Sequence, residues 1–527
     1  MTEESKLAQG WTLTTLFEVC EKIQDGTHFS PKNQLPKGTY RYITAKNVRP
    51  WGMDLSDVTF LTEEDHREIY ARCDTRAGDV LLVKDGVNTG DAAINTVDEE
   101  ISLLSSVCML RPRSEVLRNQ FLRYYLLSPT GARLLTGKMT GTAIRRIILK
   151  RIKETPIPLA PFGEQIRIVE RVEELLSDLD AGVAALERAR ANLKKYRAAV
   201  LKAAVTGDLT AEWRAKHPNV EPTTKLLDRI LAERRRKWEA DQQANFAASG
   251  KAPPKGWQEK YPEPAVVDSG GLPELPPGWC WATVDQLISY LRNGYFQSPE
   301  PLDAGVRLLR INAVRAMRVD LEEFRYLTQS DALSNYFVEN GDLLFTRYNG
   351  SLDLLGVAGM VRGCAEPTVH PDKLIRVKTV IPAPLAAYLE IACNTGESRR
   401  HMVGRARTTA GQTGISGSDV RDMPVPLPPL DEQRAIVAEV EQQLSDIDAT
   451  ANYIAASLKR AARLRQSILK EAFAGRLVPQ DPNDEPASVL LDRIRRVRAD
   501  DNGNAVSRQR RARKNAGSPM ESADGSP

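Results

Sequence analysis

The sequence predicts an α+β protein: two variable mixed α/β domains separated by two long coiled-coil helices, arranged as a pseudo-twofold internal repeat. Three observations predict it. A long segment recurs at a fixed offset, each copy of it carries an uninterrupted heptad pattern, and the stretches between the copies alternate short β-rich runs with turn signals. At 527 residues the chain is too long for a single core, and length alone suggests three or four domains.

The repeat comes first because it organises everything else. Residues 156–209 align without gaps onto residues 424–477 at an offset of 268, with 21 of 54 positions identical. The strongest part reads PIPLAPFGEQIRIVERVEELLSDLDA in the first copy and PVPLPPLDEQRAIVAEVEQQLSDIDA in the second. After each copy comes a related decamer, EPTTKLLDRI from Glu221 and EPASVLLDRI from Glu485. Upstream the likeness is fainter, but Gly10-Trp11 and Gly278-Trp279 keep the same offset of 268.

Within the shared segment, Pro156, Pro158 and Pro161 forbid helix, and a proline-free run begins at Glu164. Val172, Leu179, Leu186, Leu193 and Val200 recur every seventh residue, as do Val440, Ile447, Ile454, Ala461 and Ile468. Such heptads form a coiled-coil seam, and pairing of the two copies with each other supplies the partner each seam lacks. About 41 helical residues make a rod of roughly 60 Å. Gly207 and Gly475 end the two helices at matching positions.

The variable regions carry short β-rich runs such as TYRYITAKNV and DVLLVKD, with Asp-Gly and Asn-Gly turns between them. The expected organisation is therefore a first variable domain over 1–155, a helix segment over 156–209 and a basic helical insertion with a Pro-rich linker over 210–277. A second variable domain over 278–423, a second helix segment over 424–477 and a C-terminal helix with a basic tail over 478–527 complete it. The insertion and the Pro-rich stretch read as connectors, and the tail composition is that of a disordered segment.

Composition bounds the function. Lys plus Arg number 73 against 69 Asp plus Glu, a net charge of +4, which excludes a bulk polycation but not a local basic patch. The six cysteines form no CxxC, so neither a structural zinc site nor a disulfide framework is expected. No apolar run reaches the length of a membrane span and the N-terminus lacks a signal-peptide layout, which points to a cytoplasmic protein with no membrane partner. Catalytic constellations are missing as well. GARLLTGK (Gly131 to Lys138) has five residues between its glycines where a phosphate loop has four, and Met139 stands where a hydroxyl should hold magnesium. A helix end explains it better. Neither catalytic nor metal-binding residues are expected.

The alternation of variable domain and duplicated proline–Glu-Gln–helix segment resembles the specificity subunit of a type I restriction-modification enzyme. The residues that carry it are Pro156, Pro158, Glu164, Gln165, Ile168 and Val169, with Pro424, Pro426, Pro428, Glu432, Gln433, Ile436 and Val437. The resemblance runs from Gly10-Trp11 to about Arg496, and the insertion at 210–275 departs from it. It implies a non-catalytic subunit whose two target recognition domains each read one half of a bipartite, asymmetric double-stranded DNA target. An antiparallel helix pair would fix the gap between the halves. Implied partners are two modification (methyltransferase) subunits, which methylate adenine at N6, and restriction/motor subunits. The cofactors, S-adenosylmethionine together with ATP and Mg2+ for restriction, would belong to those partners and none to this chain. A stand-alone sequence-specific DNA-binding regulator and a coiled-coil protein scaffold are the alternatives.

Base readout needs Arg, Lys, Asn or Gln on loops, with further cations on phosphate. In the first domain the candidates are Thr27, His28, Phe29 and Lys32 of the DGTHFSPK loop, with Lys84, Arg145 and Arg146. In the second they are Arg292, Asn293 and Tyr295 of RNGYFQSP, Arg347, Tyr348 and Asn349 of RYNG, and Arg405 and Arg407. For each, a solvated surface residue is the plain alternative. Glu164, Gln165, Glu432 and Gln433 read either as first-turn helix-end residues favoured by the dipole or as a contact with the modification subunit.

Overall fold

The computed structural model describes the chain except residues 1–6, 30, 32–33, 138–145, 300–301, 410–411 and 497–527. The candidates Lys32 and Arg145 and the basic tail lie outside the described residues. The chain condenses into two compact units, and these do not follow the order of segments along the sequence. The first takes the residues up to Glu187 and those from Ala455 onward, and the second takes Arg188–Ile454.

The two long helices, Phe162–Thr206 of 45 residues and Leu430–Ala472 of 43, therefore each give one half to either unit. In the first unit Asp180 pairs with Arg465, and in the second Arg197 pairs with Asp448. The heptad positions do the packing. Val172 and Leu176 join Ile468, Leu469 and Ala472 in the core of the first unit, and Val200 joins Ile436, Val440 and Ile447 in that of the second. Between them Leu179, Val183, Leu186 and Leu193 are half-buried among exposed neighbours.

Each variable domain repeats one topology. In the first unit Thr12–Thr15 pairs antiparallel with Pro156–Leu159, and Cys280–Thr283 pairs with Pro424–Leu427 in the second, in the same register. Prolines are tolerated in these strands because a two-stranded ribbon leaves an edge on which no N–H is needed. A four-stranded sheet follows, ordered Cys20–Asp25, Val107–Pro112, Val80–Val83, Ala92–Ile94. Its counterpart runs Ile288–Asn293, Leu374–Thr379, Leu343–Thr346, Ala358–Met360. The central strands VLLV and LLFT are buried along their whole length, as strands covered on both faces must be. A three-stranded sheet with one parallel pair completes each domain. The second domain also carries a small sheet of Tyr348–Asn349, Gln412–Gly414 and Arg407–Thr409. GARLLTGK falls largely in the helix Pro129–Thr136, as a helix end and not a phosphate loop.

The decamers close the units crosswise. Ala487 N–H donates to Gly10 O at 2.9 Å, so the segment after the second long helix docks on the first domain. Thr223 N–H donates to Gly278 O at 3.1 Å, so the segment after the first long helix docks on the second. Gly475, at φ +69°, turns the chain toward that contact, and a Cβ there would come within 2.3 Å of Ala8.

The insertion corrects the expectation of a bare connector. Thr223–Ala248 is one helix, and its buried Arg234 donates to Ile288 O, Pro262 O and the Tyr261 hydroxyl. Trp238, Trp257, Tyr261 and Phe246 stack into an aromatic cluster that fastens the Pro-rich stretch beside it. Much of the basic charge is neutralised locally, by Arg229–Glu221, Arg235–Glu239 and Arg236–Glu233 pairs. A window of low hydropathy and many prolines can still dock if a few aromatics anchor it, which composition averages conceal.

Candidate nucleic-acid interface

Each domain presents its candidate loop from the end of the first strand of its four-stranded sheet. The two loops are built alike. Thr27 N–H donates to Leu103 O and Tyr295 N–H to His370 O, both at 2.8 Å. The glycines before them, Gly26 and Gly294, let the chain pass so close that a Cβ would lie 2.0 Å from a carbonyl oxygen of Leu103 or Pro371.

In the first unit a buried carboxylate gathers the candidates. Asp25 accepts from Lys84 at 3.1 Å and from Arg72 at 3.0 Å, and His28 Nε2 lies 3.3 Å away. Burial alone pushes the Asp25 carboxyl up, but hydrogen bonds from Arg72 and Lys84 and the Lys84 charge outweigh it, and the group sits below its ordinary value. Lys84 also fixes the next element, since Ile147 N–H donates to Lys84 O at 2.7 Å and the backbone at Asp85 forms an antiparallel β-bridge with that at Arg146. Thr27 and Lys84 are themselves buried, and Thr27 Oγ1 accepts from Phe29 N–H. They support the surface from below. His28, Phe29 and Arg146 are the exposed members.

In the second unit the candidates come together on two adjoining elements. Arg347 N–H donates to Lys373 O and Ile415 N–H to Arg347 O, the latter matching the Ile147–Lys84 bond. Tyr348, Asn349 and Arg407 all lie on the small added sheet, where Tyr348 and Arg407 both pair with Gly414. Arg347 Nη1 reaches Asp372 O, and Asp372 N–H donates to Tyr295 O, which joins this sheet to the RNGYFQSP loop. Arg292 lies over the Tyr336 ring at 4.8 Å, and Asn293, Arg405 and Arg407 are exposed. Tyr295 is buried and donates to Gln297. Beneath it His370 is fully buried, and burial pushes its pKa down to about 4, so a neutral ring floors the loop.

Glu164, Gln165, Glu432 and Gln433 are buried within their own units. Glu164 accepts from the Trp11 indole at 3.0 Å, and Glu432 from Trp279 at 2.9 Å. Gln165 bonds the backbone at Arg118, Val116 and Ala160, and Gln433 the backbone at Pro428. They lock each long helix to the first strand of its domain. Sequence reading missed this pairing and the hubs Asp25 and Arg72. The pairing had a signal, because Gly-Trp and Glu-Gln both recur at the same offset.

A family model for the type I restriction modification DNA specificity domain matches residues 8–192. The EcoKI specificity subunit of Escherichia coli strain K12 is 29% identical over 519 residues, covering 96% of this chain and 99% of the relative. Over nearly its whole length the chain is similar to the type I restriction-modification specificity subunits. The StySPI specificity subunit of Salmonella potsdam is 25% identical over 523 residues, again covering 96% and 99%. A solved chain from work on complex assembly and conformational transition of the type I R-M system shares the fold, at a TM-score of 0.55 and 18% identity, covering 89% of this chain and 99% of that one. Among the described residues, no helix is long and apolar enough to cross a membrane.

Proposed function

We propose that the chain is the DNA-recognition subunit of a type I restriction-modification complex. In this reading the domains over 1–155 and 278–423 each read one half of a bipartite, asymmetric duplex target. The observation that carries it is the duplication itself: one scaffold, used twice, holds the same loop at the same glycine but dresses it with different side chains. His28, Phe29 and Arg146 on one copy and Arg292, Asn293, Tyr348, Asn349, Arg405 and Arg407 on the other give each surface its own donors and rings. Direct readout requires such groups on loops that approach the major groove. Divergent surfaces on a common frame make the target asymmetric.

The chain would contribute no active site. Two modification subunits would bring S-adenosylmethionine and methylate adenine, and restriction/motor subunits would use ATP and Mg2+. Co-expression with an adenine methyltransferase subunit tests this. The expected result is co-purification at two copies per chain, with methylation of one bipartite sequence in the host genome. Tight, specific DNA binding by the isolated chain, with no methyltransferase partner, would instead favour a stand-alone regulator. Adding four residues to both long helices, about 6 Å, should shift the preferred gap by roughly one to two base pairs.

A further inference from the structure

One pair of facing residues separates the two four-stranded sheets. In the second unit Arg292, the last residue but one of Ile288–Asn293, stands directly opposite Arg376 of Leu374–Thr379. In the first unit the same register sets Gln24 opposite Met109. Side chains directly opposite in an antiparallel ladder share a face, and like charges placed so repel. The scaffold does not require the two arginines, since the sister sheet folds on a glutamine and a methionine.

Each guanidinium is held by a ring. Arg292 lies over Tyr336 at 4.8 Å and Arg376 over Tyr290 at 4.9 Å. Tyr336 is itself fixed: its backbone oxygen accepts from His370 Nδ1 at 2.7 Å, and its ring meets that of Tyr295 edge-on at 5.3 Å. Negative charge is scarce on this face. Asp342 Oδ2 lies 3.4 Å from Arg376 Nε, and Lys378 is taken by Glu339 at 2.8 Å. Arg376 Nε and Nη1 are still buried with no hydrogen-bond partner among the described residues, and no carboxylate there pairs with Arg292.

The two arginines differ in access. Arg376 exposes 5% of its surface, whereas Arg292 is half-buried at the foot of the RNGYFQSP loop. The buried cation acts on its neighbour in two ways. It repels the facing guanidinium from the sheet, and it occupies Asp342, the carboxylate into which Arg292 would otherwise fold. With one face on Tyr336, the planar fork keeps its N–H edge free, as a bidentate bond to guanine O6 and N7 requires.

We propose that Arg376 is a positioning residue, which holds Arg292 out from the sheet for a guanine in the half of the target that the second domain reads. This rests on the DNA-reading proposal and adds which side chain reads, which base it takes and what aims it.

The complex assembled on the full chain is assayed by methylation of a randomised plasmid library. Arg292→Ala should lose guanine preference at one position of one half-site, by about ten-fold or more. Arg376→Met combined with Asp342→Asn removes the buried charges together, so neither is left buried alone. It should lower the same preference at the same position by roughly five-fold or more. Arg376→Lys, which keeps the charge, should retain more of that preference. The other half-site is the internal control for folding. Adding Arg292→Ala to the Arg376→Met, Asp342→Asn chain should cost nothing further, because Arg376 acts through Arg292, whereas a merely structural role makes the losses multiply. Multiplying losses, a guanine preference unmoved by the change at Arg376, or uniform weakening with no change at any base overturns the inference. A native complex that methylates no bipartite sequence takes the DNA-reading proposal down with it, and that result is seen before any variant is made.

Discussion

The two units fold the same way and satisfy the same buried carboxylate differently. Glu432 accepts from Trp279 through one oxygen and from Thr210 and Arg214 through the other, so both oxygens have donors. Glu164 accepts from Trp11, but its second oxygen is buried with no hydrogen-bond partner among the described residues. The difference comes from the crossed segments. Thr210 and Arg214 follow the first long helix, and the corresponding residues after the second, at the same offset, are Val478 and Pro482. There Arg167 pairs with Asp484 instead, at 2.7 Å. A repeated scaffold thus conserves the bond that sets geometry while the surrounding charge is free to drift.

The comparison breaks first at these carboxylates. Glu432→Ala would strand a buried indole, a hydroxyl and the Arg214 guanidinium. Removing one partner of a buried ion pair costs about 3–5 kcal/mol, and the partial exposure of Arg214 lowers this to about 2–4 kcal/mol. Glu164→Ala strands one indole N–H, for about 1–2 kcal/mol. Hydrogen exchange read by mass spectrometry on both variants should show the larger loss of protection around residues 278–290, against a smaller one around residues 10–20. Equal losses would mean that Arg214 contributes nothing.

The loops sharpen the contrast at the next level down. Asp25 is a buried hub in the first unit, and its counterpart at the same offset is the exposed Asn293. Asp25→Asn removes the charge facing Lys84 and Arg72 and should cost about 1–2 kcal/mol, while Asn293→Ala should stay within about 0.5 kcal/mol. Methylation of plasmid libraries by the assembled complex reads the functional side. Asp25→Asn should relax sequence preference at one half of the target, through displacement of His28 and Phe29, and Asn293→Ala at the other without loss of stability. A preference lost at both halves by either variant would break the assignment of one half to each domain.

Much of this was legible in the residues. The duplication, the heptad seams and the glycine stops at Gly207 and Gly475 lie in local pattern, and local pattern is what a single sequence displays. The Asp25 cluster was not legible, since Arg72 and Lys84 reach it from positions far along the chain and nothing in their spacing announces it. The docked Pro-rich stretch was hidden for another reason: Arg234 and Tyr261 anchor it singly, and a window average reads only the prolines. Glu164 and Glu432 were placed in the right turn, and their indole partners were not legible there. A first-turn carboxylate ordinarily serves the helix end, and only the matched 153-residue separation from Trp11 and from Trp279 points to the indole.

The smallest expected effect lies in pH. Burial pushes the Glu164 carboxyl above its ordinary value, and the Trp11 hydrogen bond offsets this only in part. A carboxyl whose folded pKa is raised prefers its proton in the fold. Its favourable contribution is complete below the unfolded value near 4.5 and is lost as the pH rises through the folded value. Glu164→Gln keeps an acceptor for Trp11 and removes the charge, so the variant should match the native chain near pH 4 and gain on it above the raised folded value, by less than about 1 kcal/mol. Thermal unfolding followed between pH 4 and 7 checks the sign. A Glu164→Gln variant that falls steadily behind the native chain as pH rises would show that the buried carboxylate is ionised and paired.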